Sequence, residues 1–255
     1  MAIIIKTKKE IKLLRESGRR LSIVLDKIID KVKTGVTTQE LNMLAIEIIR
    51  NMGDSPAFLG YKPYGADVPY PAALCVSVND EIVHGIPKDI KLKNGDIVGL
   101  DIGINHKGMI TDMAKTVRVG EIDNSASNLM EATESALDAG ILAAKGGNKI
   151  GDISNAIQQV AKKNNVSIVE GLGGHGVGRS VHEDPFISNF GKKNTGATLK
   201  PGMVLALEPI FNEGEKEIFL SKDGYTFKTA DRKRSAHYEH TILITKGDAE
   251  ILTIR

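Results

Sequence analysis

Two of the chain's six histidines stand in one glycine-rich stretch, Gly171-Leu-Gly-Gly-His175-Gly-Val-Gly-Arg-Ser-Val-His182-Glu183. So dense a run of glycines reads as a loop that lets the backbone approach something closely. A single loop histidine is ordinarily a surface residue. Two of them, bounded by the strand-like Val166-Ser-Ile-Val169 and by Pro185, point to a site. Histidines at i and i+7 cannot form the i, i+4 zinc pair of a helix, so a metal here needs ligands from elsewhere.

An internal repeat supplies them. Lys93-Asn-Gly95-Asp-Ile-Val-Gly-Leu-Asp101-Ile resembles Lys200-Pro-Gly202-Met-Val-Leu-Ala-Leu-Glu208-Pro, and both the glycines and the acids are 107 residues apart. Downstream, Asp112–Val119 and Glu239–Thr245 each read as a strand that opens on a carboxylate. The order helix, helix, strand, strand pair occurs twice, which implies two similar halves about a pseudo-twofold. Alternation then places the acids. Val98, Leu100, Ile102 and Ile104 share one strand face, and Asp101 lies opposite with Gly99 and Gly103. Met203, Leu205 and Leu207 share a face, and Glu208 lies opposite. Such acids are costly unless solvated, paired or bound to a cation.

Asp101, Asp112, Glu208, Glu239 and His175 make a mostly oxygen ligand set with one nitrogen. Four carboxylates around one point cannot all stay ionised without cations. Two divalent ions would neutralise them, and a water between the ions would lose a proton near neutral pH, ready to attack a carbonyl. The set suits Mn, Fe(II), Co or Zn, and the lack of cysteine ligands argues against a structural zinc. Walker loop, dinucleotide fingerprint and Gly-x-Ser-x-Gly elbow are all missing from the sequence.

The elements that must hold these residues are readable. Of the 255 residues, 41% are hydrophobic and 26% charged, enough for a sizeable core. The net charge of +2 is too mild to argue for nucleic acid. One cysteine, Cys75, precludes an internal disulfide, fits a reducing compartment, and reads as packing within Ala73–Val78. No apolar run reaches membrane-spanning length and the N-terminus lacks a signal peptide, so a cytoplasmic location is expected. Residues 7–31 read as an amphipathic helix with Lys8, Lys9, Lys12, Arg15, Arg19 and Arg20 on its solvated face. A second helix opens with Thr38 as N-cap and stops at Gly53. Residues 54–72 form a long Pro- and Tyr-rich loop carrying Tyr61, Tyr64 and Tyr70. Strands are expected at 74–78, 96–105, 109–119, 166–169, 203–210, 236–245 and 249–254. Further helices are expected at 125–145 and 149–164, with nothing marking a domain boundary.

Taken together, Asn79-Asp-Glu-Ile-Val-His84-Gly-Ile-Pro87, Asp101 with Asp112, Gly174-His175-Gly-Val-Gly-Arg, His182-Glu183-Asp-Pro185, Lys200-Pro-Gly-Met203, Glu208-Pro209 and Tyr238-Glu239-His240-Thr241 resemble type I methionine aminopeptidase, over nearly the whole chain. The resemblance implies an α+β "pita-bread" fold: an antiparallel concave sheet, helices outside, and pseudo-symmetric halves of about 32–120 and 121–255 behind the first helix, in a single domain. With only that helix ahead, it is similar to the bacterial-type short form. The resemblance implies a dinuclear metalloaminopeptidase that releases the N-terminal Met of nascent chains when the next residue is small. Asp101 would bind one metal, Asp112 and Glu239 would bridge both, and His175 and Glu208 would complete the other. Glu208 would also carry the proton of the attacking water. His84 would bind substrate and stabilise the tetrahedral intermediate, and His182 would contact the scissile amide. Phe58, Tyr61, Tyr70 and Tyr225, with Cys75 nearby, would form the Met pocket. The 61–70 loop looks longer than the family pattern, Tyr225 stands where Trp is often found, and Val181 where some members have an aromatic.

Two rivals remain: a peptidase of the same fold that cuts before proline, and a non-catalytic binding protein on it. The first usually carries an additional N-terminal domain, and the second tends to lose metal ligands, which here are all present. A monomer, no membrane association, no specific nucleic acid and a transient ribosome contact through the basic first helix complete the expectation.

Overall fold

Thr7 opens helix α1 (Lys8–Ile29) with a reciprocal capping box to Glu10, which satisfies two otherwise orphaned backbone donors. Helix α2 (Thr38–Asn51) is capped one residue earlier than the sequence suggests. The Thr37 hydroxyl accepts from Glu40 N and the Glu40 carboxylate accepts from Thr37 N. Thr38 is committed elsewhere: its hydroxyl bonds the Lys88 carbonyl and amide. The computed structural model describes residues 2–63 and 65–254, so the loop residue Tyr64 lies outside it.

After α2 the chain runs through β1 (Ser55–Pro56), β2 (Leu74–Val78), β3 (Glu81–Val83), β4 (Ile97–His106) and β5 (Met109–Arg118). Helices α3 (Asn124–Ala143) and α4 (Ile150–Asn164) follow. The remainder is strand: β6 (Ser167–Ile168), β7 (Gly173–Gly176), β8 (Glu183–Ser188), β9 (Val204–Leu207), β10 (Ile210–Asn212), β11 (Ile218–Leu220), β12 (Phe227–Thr229), β13 (Ser235–Leu243) and β14 (Glu250–Ile251). Among the described residues the main sheet runs β1-β4-β5-β13-β9-β7-β8, with β2 on β4, β10 and β14 on β13, and β6 on β10. A small sheet, β11-β12-β3, flanks it.

Alternation decides which face the helices take. Val98, Leu100, Ile102 and Ile104 of β4 pack with Leu21, Val24, Leu25 and Ile28 of α1 and Leu41, Ala45 and Ile49 of α2. Met203, Leu205, Leu207 and Ile242 pack with Leu129 and Leu137 of α3 and Ile153 and Ile157 of α4. The opposite face, with the acids, is left for the interior of the cavity described below.

Two expectations are corrected. The glycine-rich stretch is not all loop, because its centre is strand β7, wedged between β8 and β9. Its glycines are needed for contact. A Cβ at Gly174 would lie 2.4 Å from the Ala206 carbonyl oxygen, and one at Gly176 2.3 Å from that of Asp184. Arg20 also leaves the solvated face of α1. Its Nε sits 2.7 Å from Asp54 Oδ2, and His106 Nδ1 sits 2.7 Å from Asp54 Oδ1. Asp54 thus ties α1, the end of α2 and the end of β4. No described helix is long and apolar enough to cross a membrane.

Removing the shared carboxylate leaves the buried His106 imidazole without its partner and takes from the largely buried Arg20 guanidinium its closest carboxylate. Asp54→Ala is expected to destabilise the protein by about 3 kcal/mol in urea unfolding, with the unfolding slope unchanged.

Candidate metal centre

Strand register gathers the acids. Asp101 of β4 pairs with Ala114 of β5, and Ala114 pairs with Glu239 of β13. One residue past the His240–Leu207 pair, Glu208 follows strand β9. The neighbouring row runs Gly103, Asp112, Thr241, Ala206, His175 across β4, β5, β13, β9 and β7; Thr241 stands opposite Asp112 by the same antiparallel count, and their backbones are joined through the Thr241 hydroxyl. Opposed residues in a sheet share a face, so both rows look into one hollow. Small side chains stand among the ligand-type ones. Ala114 and Ala206 are the spacers that leave room between them.

The backbone of this patch is pinned. The Thr241 hydroxyl accepts from Asp112 N at 2.9 Å and donates to Asp112 O at 2.7 Å. Thr116 does the same for His237, at 2.9 Å in both directions. His175 is oriented by Nδ1, 2.8 Å from the Gly176 carbonyl. That bond needs the proton on Nδ1, so Nε2 presents its lone pair to the site, the arrangement expected of a metal-binding imidazole. Nε2 lies 3.6 Å from Glu208 Oε1.

All five expected ligands, with His84, His182, Phe58, Tyr61, Tyr70, Cys75 and Tyr225, line one cavity with about 560 Å³ of empty space. One ligand atom each from Asp112, His175 and Glu239 lies within 4.8 Å of the others. His84 is held in the left-handed region, with φ of 58°, a conformation that a non-glycine residue keeps only when its surroundings impose it. His182 stands exposed at the mouth. Its Nδ1 is 3.0 Å from the Tyr61 hydroxyl, which leaves Nε2 free, and its ring meets the His175 ring edge-on at 4.5 Å. The long loop closes the far end: Pro63 lines the cavity, and the Tyr225 hydroxyl donates to the Val68 carbonyl. Cys75, read from sequence as packing, is buried but faces the cavity beside Asp101 and Tyr70.

The electrostatics fit a cation. Asp101, Asp112 and Glu239 are buried, yet among the described residues the ion pairs of the four acids are only with His175 and His237. Asp101 Oδ1 and Glu239 Oε1 are buried without any hydrogen-bond partner, a loss that a bound cation would recover. Burial, then the neighbouring acids, pushes Asp101 and Glu239 well above the usual carboxylate range. Burial raises Asp112 to about 7 and Glu208 to about 8. Burial also holds His84 down to about 4, and His175 and His237 to about 3, so the imidazoles are neutral. Neutral imidazole and displaceable protons on oxygen make a donor set ready for divalent metal.

Sequence reasoning missed His237. Its signal was present, since it sits two residues before Glu239 in a strand and so shares its face. It also missed Ala114 and Ala206, whose importance lies in being small.

The metallopeptidase family M24 model matches residues 12–246. The methionine aminopeptidase of Clostridium perfringens is 44% identical over 252 residues, covering 99% of both chains. That of Aquifex aeolicus is 45% identical over 258 residues, again covering 99% of both. A crystal structure of methionine aminopeptidase from Rickettsia prowazekii superposes with a TM-score of 0.95 at 40% identity, covering 99% of this chain and 100% of the other. A prolidase from Pyrococcus horikoshii, at 22% identity and a TM-score of 0.76, shares the fold.

Two outcomes are expected. Carboxyls whose folded pKa is raised bind protons that the unfolded chain has released, so stability falls as pH rises towards their folded values. From about pH 7.5 to 8.5 the imidazoles are neutral in the unfolded as well as the folded state, and the carboxyl effect stands alone. The metal-free protein should lose about 1 kcal/mol per pH unit for each carboxyl still protonated there. Thermal unfolding with and without Mn²⁺ checks this, because the slope should flatten when metal is added. Ala114→Leu should fill the gap between Asp101 and Glu239 and weaken Mn²⁺ binding by more than about tenfold in calorimetry.

Proposed function

The chain belongs to metallopeptidase family M24, and from that premise we infer that it removes N-terminal methionine from peptides. The observation that carries the reading is the convergence of five ligand side chains and two further histidines on one cavity that Phe58, Tyr61, Tyr70, Cys75 and Tyr225 also line. That part of the lining is apolar and aromatic, which suits an unbranched thioether side chain. Burial alone separates near-isosteres only modestly.

Asp101, Asp112 and Glu239 would hold one divalent cation, and Asp112, Glu239, His175 and Glu208 a second. Mn, Fe(II), Co and Zn all suit such an oxygen-rich set with one imidazole. Bound there, such cations supply positive charge that polarises the scissile carbonyl and acidifies a water. The chain's own groups do the rest. Glu208, ionised once metal is bound, takes the proton from the attacking water and passes it to the leaving amine. His84, neutral and fixed in a strained backbone, donates to the oxygen that gains charge. His182, steered by Tyr61 at Nδ1, uses Nε2 at the scissile amide. With His84 and His182 flanking the scissile bond, the second residue of the substrate would pass between two imidazoles, which favours a small one.

Every site residue comes from one chain, which supports an enzyme complete as a monomer. A substrate present on chains as they are made supports a cytoplasmic location. The exposed Lys8, Lys9 and Lys12 of α1 support a transient ribosome contact.

Glu208→Gln should lower kcat on a Met-Ala-Ser peptide by at least about 100-fold with metal saturating. Met-Leu-Ser and Ala-Pro-Ala should be poor substrates of the unaltered enzyme. Rapid cleavage of Ala-Pro-Ala in place of Met-Ala-Ser would refute the assignment.

A further inference from the structure

His237 Nε2 is buried and has no hydrogen-bond partner. A buried donor left in that state costs free energy, and it persists where the surroundings use it. What it faces is specific: Glu208 Oε2 at 3.4 Å and Glu239 Oε2 at 3.8 Å. Both are acceptors when ionised. With divalent metal bound both are ionised, and a lone pair aimed at two carboxylates would be repelled by both, so in that state Nε2 is the nitrogen that carries the proton. The backbone that carries the ring is fixed, since the Thr116 hydroxyl bonds both backbone groups of His237, and the side chain is buried. Nor does His237 line the cavity, and its nitrogen is not among the three ligand atoms that lie within mutual reach. It stands behind the ligands.

We propose that His237 is a positioning residue whose Nε2–H is the donor that orients the Glu208 carboxylate from behind and so sets the centre's affinity for divalent cation. The inference rests on Glu208 being a ligand, as proposed above. At 3.4 Å the donor is aimed but not closed, since a good N–H···O bond is a few tenths of an ångström shorter. A carboxylate that binds metal through one oxygen has its other oxygen free for such a bond. Losing an outer hydrogen bond of this kind ordinarily weakens metal binding by about 10- to 100-fold.

The test compares His237→Gln, which keeps an N–H donor, with His237→Leu and His237→Met, which have none. Two donor-free variants are used so that a folding failure in one leaves the comparison intact. Mn²⁺ affinity is measured by calorimetry on metal-stripped full-length protein, and kcat and KM on Met-Ala-Ser at saturating Mn²⁺. Leu or Met should weaken Mn²⁺ binding about 10- to 100-fold, while Gln stays within about threefold of the unaltered protein. The kcat of the Leu and Met variants should fall, with KM within about twofold, because the peptide does not touch His237. Donor-free variants that bind Mn²⁺ as tightly as the unaltered protein would overturn the proposal. So would equal losses in Gln and Leu, which would make the effect one of packing. If the unaltered protein itself binds neither Mn²⁺ nor Co²⁺, the metal-centre reading fails, and this inference falls with it.

Discussion

Three buried acids and a fourth that is nearly so share one hollow, and among the described residues no cation stands against them, the basic groups there being the rings of neutral imidazoles. In an isolated chain that arrangement works against folding. Like charges at short range repel, and each carboxylate has left water to be there. The molecule answers in two ways. Without metal it keeps protons on oxygens that would normally have released them. Divalent metal bound there would displace those protons, and the strain would become binding energy. The rest of the architecture serves to keep the acids together: helices on the outer face, small residues as spacers, and threonine hydroxyls bridging β5 to β13.

Rigidity is concentrated where the chemistry needs it. Asp112 and His237 are each clamped by a threonine from the neighbouring strand. The carbonyl of its own neighbour orients His175. Around the cavity, control passes to the long loop, whose described residues brace the site through Tyr61 on His182 and through Val68 on Tyr225. The edge-on pair of Tyr70 and Tyr225, 5.1 Å between centroids, closes the side of the pocket between these two anchors. The N-terminal segment adds a further brace. Lys6 Nζ lies 2.6 Å from Glu183 Oε2, and both side chains are almost wholly buried directly beside His182.

Much of this could be read from residues alone. A strand period of two put Asp101 and Glu208 opposite their apolar neighbours, and the helices cover those apolar faces. The repeat at 107 residues pointed to the same two acids from an independent direction. Legibility ended where meaning depends on a partner distant in sequence. Gly173–Gly176 looked like a loop because glycine disfavours strands, whereas its crowding by Ala206, Ile187 and Asp184 is visible only in three dimensions. Arg20 looked solvated until Asp54, 34 residues away, turned it inward. His237 is one of six histidines, and only its burial against Glu208 and Glu239 sets it apart. Ala114 carries no chemistry of its own, and its smallness matters only because register sets it between two acids.

The most direct test is spectroscopic. Infrared difference spectra of the metal-free protein at pH 7, recorded before and after addition of Mn²⁺, report the protonation of the acids themselves. The account predicts loss of a protonated-carboxyl band and gain of carboxylate bands, with the change diminished in Asp112→Asn and Glu208→Gln. An unchanged carboxyl region on addition of stoichiometric metal would mean that the acids are not held protonated in wait for a cation, and would contradict the account.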